Sequence, residues 1–226
     1  AGSIDSTVQA NTTSGFSIVT FAVPSSGTFT IGHGLNVKPD MVITKGRGEA
    51  DNWVVYHKAI SSSNENDYLQ LNTTNATGTA TDIWGTAQPT TSVVGMKAGT
   101  TLVASQNAIA YCFHSVEGYS KFGSYTGNAN ADGTFVYTGF RPAFIIVKST
   151  ASANWELFDT TRSPSNVIGI RLFPSLSNVE NTGEANCIDI VSNGFKVRGA
   201  YTGVNQNATV HIYMAFGDSF KYANAR

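Results

Sequence analysis

Charged side chains are scarce in this sequence of 226 residues. Asp, Glu, Lys and Arg make up 13% of the chain, against about 25% in an average soluble domain. The 14 basic residues are scattered and are balanced by 15 acidic ones. A nucleic-acid-binding protein needs a basic patch that releases counterions from phosphates, so this balance argues against nucleic acid as a partner. Because aromatic residues still reach 11%, the composition is not that of a disordered chain.

Cysteine is equally rare, and Cys112 and Cys187 are the two copies. Two cysteines cannot form a disulfide within each half of the chain. They leave two alternatives, which are one bridge between them or two buried free thiols. The apolar segment around Cys112 favours the free thiols.

Long apolar segments are missing too. No run approaches the roughly 20 residues that a membrane-spanning helix needs, which argues against membrane insertion. Residues 1–3 are polar and do not begin a basic start followed by an apolar stretch. We therefore expect no signal peptide in this sequence.

What the sequence does contain is a repeat with a period of about 103 residues. Four short segments of the first half recur in the same order in the second half, at offsets between 102 and 106 residues. This pattern predicts a tandem duplication. Positions shared by both halves then build the fold, and positions present in one half are better candidates for function. The matched segments are 27–31 with 133–137, 38–45 with 141–148, 52–56 with 154–158, and 109–113 with 212–216.

Strand signals dominate the chain. β-Branched and aromatic residues are concentrated in short runs, and turn-forming residues separate the runs. Asp132-Gly133 and Asn193-Gly194 are dipeptides typical of tight hairpins, and no stretch of about 12 residues has helical periodicity. We therefore predict an all-β fold, made of two sequence-related antiparallel halves of β-sandwich or jelly-roll type. The main strand candidates are 16–23, 41–45, 53–56, 144–148 and 211–216.

The repeat also predicts the domain organisation. Residues 1–13 are polar and are expected to form a connecting segment. Residues 14–116 would form the first β repeat and residues 117–226 the second. Because no Pro-rich or Gly/Ser-rich linker separates them, we expect the two repeats to pack closely, in an arrangement that a pseudo-twofold axis would describe.

Several motifs resemble metal or catalytic sites without completing them. Residues 128–133 imitate the start of a calcium loop, but Gly139 stands where the last carboxylate is needed, so a hairpin turn is favoured. Ser120 lacks the second glycine of a nucleophile elbow. His33 lies between two glycines and is expected in an exposed turn, and the four histidines lack metal-site spacing. We therefore predict no metal, no cofactor and no enzyme activity.

Sugar hydrolysis would need two carboxylates that face each other across a cleft. The sequence offers five acidic residues for this role but pairs none of them, so a hydrolase is the least favoured function. The five residues are Asp51, Asp82, Glu156, Asp159 and Asp189.

Binding residues are sought among side chains outside the repeat. Trp84 lies in the polar stretch 81–86 and has no counterpart in the second half. We expect it to stack on a sugar ring or to anchor a protein partner. Tyr68 and Tyr201 are weaker candidates of the same kind. The tryptophans common to both halves are expected in the core, and they are Trp53 and Trp155.

Polar loops complete the predicted binding set. Asp82 lies next to Trp84 in the sequence, Asp51 ends the loop 46–51, and Asn64 lies in the loop 61–67. Loops held by a rigid sheet are the usual carriers of binding residues. The ligand is therefore expected at these two loops and at residues 82–89.

A further signal is carried by residues 109–128, 133–145, 192–198 and 220–226. Together they resemble a domain of uncharacterised function that is widespread in tailed bacteriophages, where it often ends tail-fibre-like or other virion structural proteins. The resemblance covers almost the whole chain from Ser14 onward. It implies a virion protein, located in the tail fibre or at the particle surface. No catalytic residues are established for the family, so none is transferred to this chain.

The function that the resemblance implies is receptor binding, which attaches the phage to its bacterial host without catalysis. The expected partners are a bacterial surface glycan or an outer-membrane protein, together with other virion subunits. The habit of fibres implies a homotrimer. A head-decoration or tail-assembly subunit is the alternative, and a polysaccharide depolymerase ranks below both.

Overall fold

The computed structural model describes residues 1–61, 65–85, 87–99, 102–182 and 187–218. The regular elements in this part of the chain are almost all antiparallel strands, and the predicted all-β fold of sandwich type is confirmed. Within the described residues, no helix has the length and hydropathy that crossing a membrane requires.

The chain divides into two compact units. The first comprises Ala1–Leu71 and Thr77–His114, and the second comprises Asn72–Ala76 and Ser115–Arg226. The break after His114 lies close to the predicted repeat boundary. Asn72–Ala76 differs from the prediction because it belongs to the second unit, where the Ala153 amide donates a hydrogen bond to the Thr74 carbonyl (2.9 Å).

Part of the predicted connecting segment, residues 1–13, pairs with the sheets of the first unit. Ser6–Asn11 is strand β1, which pairs antiparallel along its whole length with strand β2, Phe16–Ala22. Gly2 forms a further bridge with Ile31. The polar sequence suits the position, because five of the six residues of β1 are exposed and an edge strand of this kind needs few apolar side chains.

The first unit is a sandwich of a large and a small sheet. Its other described strands are β3 Thr28–Gly32, β4 Met41–Gly46, β5 Val54–His57, β6 Asp67–Gln70, β7 Gly78–Thr79, β8 Val93–Lys97 and β9 Asn107–Phe113. The large sheet has the order β1-β2-β9-β4-β5-β6-β7, and the small sheet pairs β3 with β8. Burial alternates along β2, so that Val19 and Phe21 join Phe29 and Ile31 in the core between the sheets.

The second unit also consists of two packed sheets. Its described elements are β10 Ser120–Thr126, β11 Asp132–Tyr137, β12 Pro142–Ser149, β13 Trp155–Asp159, β14 Ile188–Val191, β15 Gly194–Arg198, the single-turn helix α1 Thr202–Asn205, and β16 Val210–Gly217. One sheet has the order β10-β16-β12-β13 and the other has the order β11-β15-β14. Ile145 and Val147 of the first sheet share a core cluster with Phe195 and Val197 of the second.

The two units also share strand register. The order β2-β9-β4-β5 in the first unit corresponds to β10-β16-β12-β13 in the second. Met41 pairs with Phe113, and 103 residues later Phe144 pairs with Phe216. The next five residue pairs of the two ladders keep the same offset. This agreement supports the predicted duplication, which stays a prediction.

One of the four sequence matches fails in side-chain direction. The match of residues 27–31 with 133–137 equates Phe135 with Phe29, which is buried. In the structure the register of β11 against β15 shifts between Asp132 and Phe135. Such an irregularity reverses which side chains face the core. Val136 is therefore buried, and Phe135 is exposed.

Gly194 is required by the close approach of β11 and β15. The predicted hairpin is present, with a two-residue loop before Gly194, and Gly194 itself pairs with Tyr137. A Cβ on Gly194 would lie 2.1 Å from the Val136 carbonyl oxygen. We expect Gly194→Ala to lower the free energy of unfolding by about 1–3 kcal/mol, measured by urea unfolding. Ser192→Ala in the exposed loop is the control, and equal midpoints for the two variants would contradict the expectation.

His33 is buried, so the prediction of an exposed turn is wrong. Its Nδ1 accepts a hydrogen bond from the Leu35 amide (3.2 Å), and its Nε2 donates to the Thr90 carbonyl (3.3 Å), which corresponds to the neutral ring. Burial lowers the pKa of His33, although the hydrogen bond to Thr90 acts in the opposite direction. His211 in β16 is also buried, and burial lowers its pKa as well.

Stability is therefore expected to fall as the pH drops below about 6.5, the ordinary pKa of histidine. His33 and His211 take up protons there in the unfolded chain, whereas the folded protein resists protonation until the pH reaches their lowered pKa. The unfolded state then binds more protons, and this favours unfolding. Urea unfolding at about pH 7.5 and about pH 5.5 measures the effect. His33→Gln should weaken the pH dependence, and equal stability at both pH values would contradict the prediction.

Candidate functional site

The sheet β11-β15-β14 of the second unit has one face in the core and one face outward. Val136, Phe195 and Ile190 are buried on the core side. Because side chains alternate along a strand, the residues between them lie on the opposite side. We call this opposite side the aromatic face. It consists of Phe135 and Tyr137 on β11, Gly194, Lys196 and Arg198 on β15, and Asp189 and Val191 on β14.

The aromatic face presents two exposed rings. Phe135 is 46% exposed and Tyr137 is 62% exposed, whereas every other described Phe, Tyr and Trp is buried or half-buried. Single exposed apolar residues are ordinary on proteins. Two neighbouring rings on one face form a small contiguous apolar patch, which makes this face a candidate interaction site. The cross-strand rows are Phe135-Lys196-Asp189 and Tyr137-Gly194-Val191.

Charged side chains border the two rings in fixed pairs. Lys196 Nζ lies 2.6 Å from Asp132 Oδ1, and Arg198 Nε lies 3.4 Å from Asp189 Oδ2. The hydrogen bond from Lys196 and its charge lower the pKa of Asp132. Two cations and two anions leave this border without net charge. It offers hydrogen-bond donors and acceptors side by side.

A second feature of the same unit is a buried ion pair. Glu156 is 0% exposed and Arg171 is 2% exposed, and Arg171 Nε lies 2.9 Å from Glu156 Oε2. The Tyr201 hydroxyl donates a hydrogen bond to Glu156 Oε1 (2.7 Å). The guanidinium carbon of Arg171 lies 4.4 Å from the centre of the Tyr201 ring and 5.4 Å from that of Phe173, which are cation–π distances.

This ion pair connects three segments of the second unit. Glu156 lies on β13, Arg171 lies in the long connection to β14, and Tyr201 precedes α1. In the first unit the register position of Glu156 is occupied by Val54. Burying two charges costs several kcal/mol per ion unless they are paired. The cluster therefore fixes the long connection, and its burial gives a ligand little access to the charges.

Lys148 is the buried lysine of β12, and burial lowers its pKa to about 8. A lysine of this kind is a candidate nucleophile. However, Lys148 Nζ donates to the carbonyls of Ser149 (2.7 Å) and Ala151 (3.0 Å). Lys45, its register equivalent in the first unit, makes similar contacts, with the carbonyls of Gly46 and Glu49. The repetition indicates a structural role in holding the loop after the strand.

Comparison with known proteins places the chain in a family. Residues 1–219 match the family described as Domain of unknown function (DUF7483). The chain belongs to this family. No curated protein and no solved structure matches the chain. The aromatic face and the buried ion pair are therefore features of a DUF7483 domain.

Trp84, the leading predicted binding residue of this DUF7483 domain, is not available to a ligand. It is 1% exposed, its Nε1 donates to the Asp67 carbonyl (3.1 Å), and its ring meets Tyr56 edge-on at 5.8 Å. The prediction that it stacks on a sugar or anchors a partner is wrong. The polar residues around it in the sequence concealed a core position. Of the two repeated tryptophans, Trp155 is buried as predicted and Trp53 is half-buried.

The other predicted binding residues do not form one site. Tyr68 is half-buried against the hydrophobic core of the first unit, and Asp82 is half-buried beside Ile83. Asp51 accepts a hydrogen bond from Gln106 Nε2 (2.9 Å) in the first unit. Tyr201 contacts the buried ion pair of the second unit, and Asn64 lies outside the described residues.

The incomplete motifs have structural explanations. Asn128 and Asn130 accept hydrogen bonds from the amides two residues ahead, which forms the turn before β11, while Asp132-Gly133 lies inside the strand and not in a hairpin loop. Ser120 is buried in β10, where its Oγ accepts from the Val116 amide. Within the described ranges no group of three His, Cys, Asp or Glu side chains could hold a metal ion. Cys112 and Cys187 are both buried, and no disulfide joins them.

Sequence reasoning missed Phe135 and Tyr137 in this DUF7483 domain. The repeat equates them with the buried Phe29 and Ile31, which hid their exposure. One signal was present in the sequence, because Phe135 and Tyr137 flank Val136. Side chains two residues apart on a strand lie on the same face, so the two rings must share a face. Only the register shift in β11 decides that this face is outward.

Proposed function

We propose that this domain is a non-catalytic attachment domain of a tailed-phage virion, which binds the surface of the bacterial host through the aromatic face. The observation that carries the proposal is the pair of exposed rings, Phe135 and Tyr137, on one face of a packed sheet. The resemblance to phage virion proteins supplies the biological setting. The ligand would be a surface glycan or an outer-membrane protein.

The construction of the aromatic face supports a binding role. The core behind it is formed by buried side chains such as Phe195 and Val197, and Gly194 allows β11 and β15 to approach closely. The rings are therefore presented by a sheet that does not have to reorganise, which reduces the entropic cost of binding. Several copies on one particle would add avidity to weak single sites. This proposal moves the binding site from the predicted loops of the first unit to a sheet of the second.

A whole-cell assay tests the attachment function. The fluorescently labelled chain is incubated with a panel of intact bacterial strains, and bound fluorescence is measured by flow cytometry. We expect saturable binding to at least one strain, and the unlabelled chain should compete with adsorption of phage that infect that strain. The double variant Phe135→Ser, Tyr137→Ser should lose this binding.

The control variant changes an exposed apolar residue that lies outside the aromatic face. Val179 is 88% exposed in the same unit, and Val179→Ser should bind like the parent chain. Because all three side chains are exposed, none of the variants should change the urea midpoint. Absence of binding to every strain, or binding that the double variant retains, would refute the attachment function as proposed.

Strand β1 favours the alternative function of a structural virion subunit. Among the described residues β1 pairs with β2 alone, and its other edge carries unpaired backbone groups. Such an edge can accept a strand from a second copy of the chain, as in the predicted homotrimer. Sedimentation equilibrium tests this at micromolar concentration. Val8→Lys, which places a charge on the strand, should dissociate an assembly that uses β1, and a chain that is monomeric throughout would exclude it.

A further inference from the structure

We infer that the ligand of the aromatic face is an uncharged saccharide chain, with one sugar ring stacked on Tyr137 and a neighbouring one on Phe135. This inference rests on the attachment function proposed above and names its ligand. It commits to a saccharide in preference to an outer-membrane protein. Three properties of the face support it, which are the placement of the rings, the shape beside Tyr137 and the balance of charge.

The placement of the rings suits a linear ligand. Phe135 and Tyr137 are two residues apart on one strand and on the same face, which separates their attachment points by about 6.7 Å along β11. A saccharide that runs along the strand therefore meets both rings in succession. The C–H face of a sugar ring is apolar, and it packs on an aromatic face as other apolar groups do.

The shape beside Tyr137 leaves its ring accessible. Its cross-strand neighbour is Gly194, which has no side chain, and the next residue in the row is the small Val191. Behind the ring, a Cβ built on Gly139 would lie 3.6 Å from the Tyr137 hydroxyl oxygen. The ring thus lies near the backbone at Gly139. Gly194 itself is buried, so the surface that a ligand meets in this row is mainly that of the Tyr137 ring, which is 62% exposed.

The charges of the face favour hydroxyl groups over ions. Sugar hydroxyls donate and accept hydrogen bonds, and planar or charged side chains next to an aromatic ring are suitable partners for them. Asp132 with Lys196, and Asp189 with Arg198, provide both roles at the border of the rings. Since each cation already has a carboxylate, the face has no unbalanced positive charge to attract a phosphate or a polyanion.

The small apolar area argues against a protein as the occupant. Two half-exposed rings offer on the order of 200 Å² of surface. A stable protein interface takes about 800 Å² from each partner, and its strongest anchors fill closed pockets. The aromatic face is a shallow sheet surface with polar borders. It is large enough for two or three sugar rings.

A printed array of purified bacterial polysaccharides, neutral and acidic, tests the inference with the complete chain. We expect binding to at least one neutral polysaccharide. Phe135→Ser and Tyr137→Ser should each weaken it about tenfold, the loss expected when one stacked ring is removed. Tyr137→Phe keeps the ring and should stay within about threefold of the parent chain, and Val179→Ser should not differ from it.

The possible outcomes distinguish a failure of the saccharide inference from a failure of the attachment function. Binding to cells that needs Phe135 and Tyr137, resists periodate and is lost after protease treatment would overturn the saccharide and leave the attachment function standing. Array binding that needs both rings without binding to any intact strain would support the saccharide and overturn the attachment function. Array binding that survives the serine variants, or is restricted to acidic polysaccharides, would overturn the inferred site or its specificity. A chain that binds neither the array nor cells would refute both.

Discussion

Replacing Arg171 with methionine is expected to lower the free energy of unfolding of the second unit by about 3–5 kcal/mol. The substitution leaves the carboxylate of Glu156, which is 0% exposed, without the guanidinium that lies 2.9 Å from it. It also removes the contact of the guanidinium with the Tyr201 ring. Methionine is similar in volume to arginine, so lost packing contributes little. Urea unfolding followed by circular dichroism measures the change.

A double variant distinguishes the lost charge from lost packing. Glu156→Leu combined with Arg171→Met removes both charges and retains most of the volume, so it should recover most of the stability, because buried ion pairs can be replaced by apolar residues at little cost. If the double variant is as unstable as Arg171→Met alone, the ion-pair explanation fails. Cell and array binding should be unchanged in the folded double variant, since neither residue lies on the aromatic face.

Trp84→Ala is expected to destabilise the first unit by about 3–5 kcal/mol, the usual cost of removing a buried aromatic side chain. The ring is 1% exposed and packs edge-on against Tyr56. Its removal also takes the Nε1 donor from the Asp67 carbonyl, which is then left without that hydrogen bond. Urea unfolding monitored by far-ultraviolet circular dichroism measures the loss.

The control for Trp84 is the conservative change to phenylalanine. Trp84→Phe keeps an apolar ring and loses the hydrogen bond, so it should cost about 1–3 kcal/mol. It should also leave host binding intact, because the ring faces the core and not a ligand. The core role would be contradicted if Trp84→Ala cost less than about 1 kcal/mol and at the same time abolished binding.

The sequence alone was sufficient for features that depend on local pattern. The strand candidate 16–23 is present as β2, and the loop before Gly194 forms the expected hairpin. Within the matched segments, residues 41–45 and 144–148 lie on strands with the same register. These features were predictable because strand direction and turn type are set by residues close together in the chain.

The candidate site depended on contacts between distant residues. Trp84 looked like a loop residue because its sequence neighbours are polar, but its partners are Tyr56 and Asp67, which no local pattern connects to it. Glu156 and Arg171 are separated by an irregular segment, and the sequence did not pair them. Long-range packing outweighs local polarity in such cases, because burying one large ring is worth more than the preferences of the residues around it.

The pattern of residues along the chain is sufficient to predict an all-β fold with few charged side chains. Which face of β11 is outward depends on how distant strands pair. A register shift between Asp132 and Phe135 turns Phe135 and Tyr137 away from the core, whereas Phe29 at the matching position of the first unit is buried. Because side chains alternate with a period of two along a strand, a slip of one residue in the pairing exchanges buried and exposed positions.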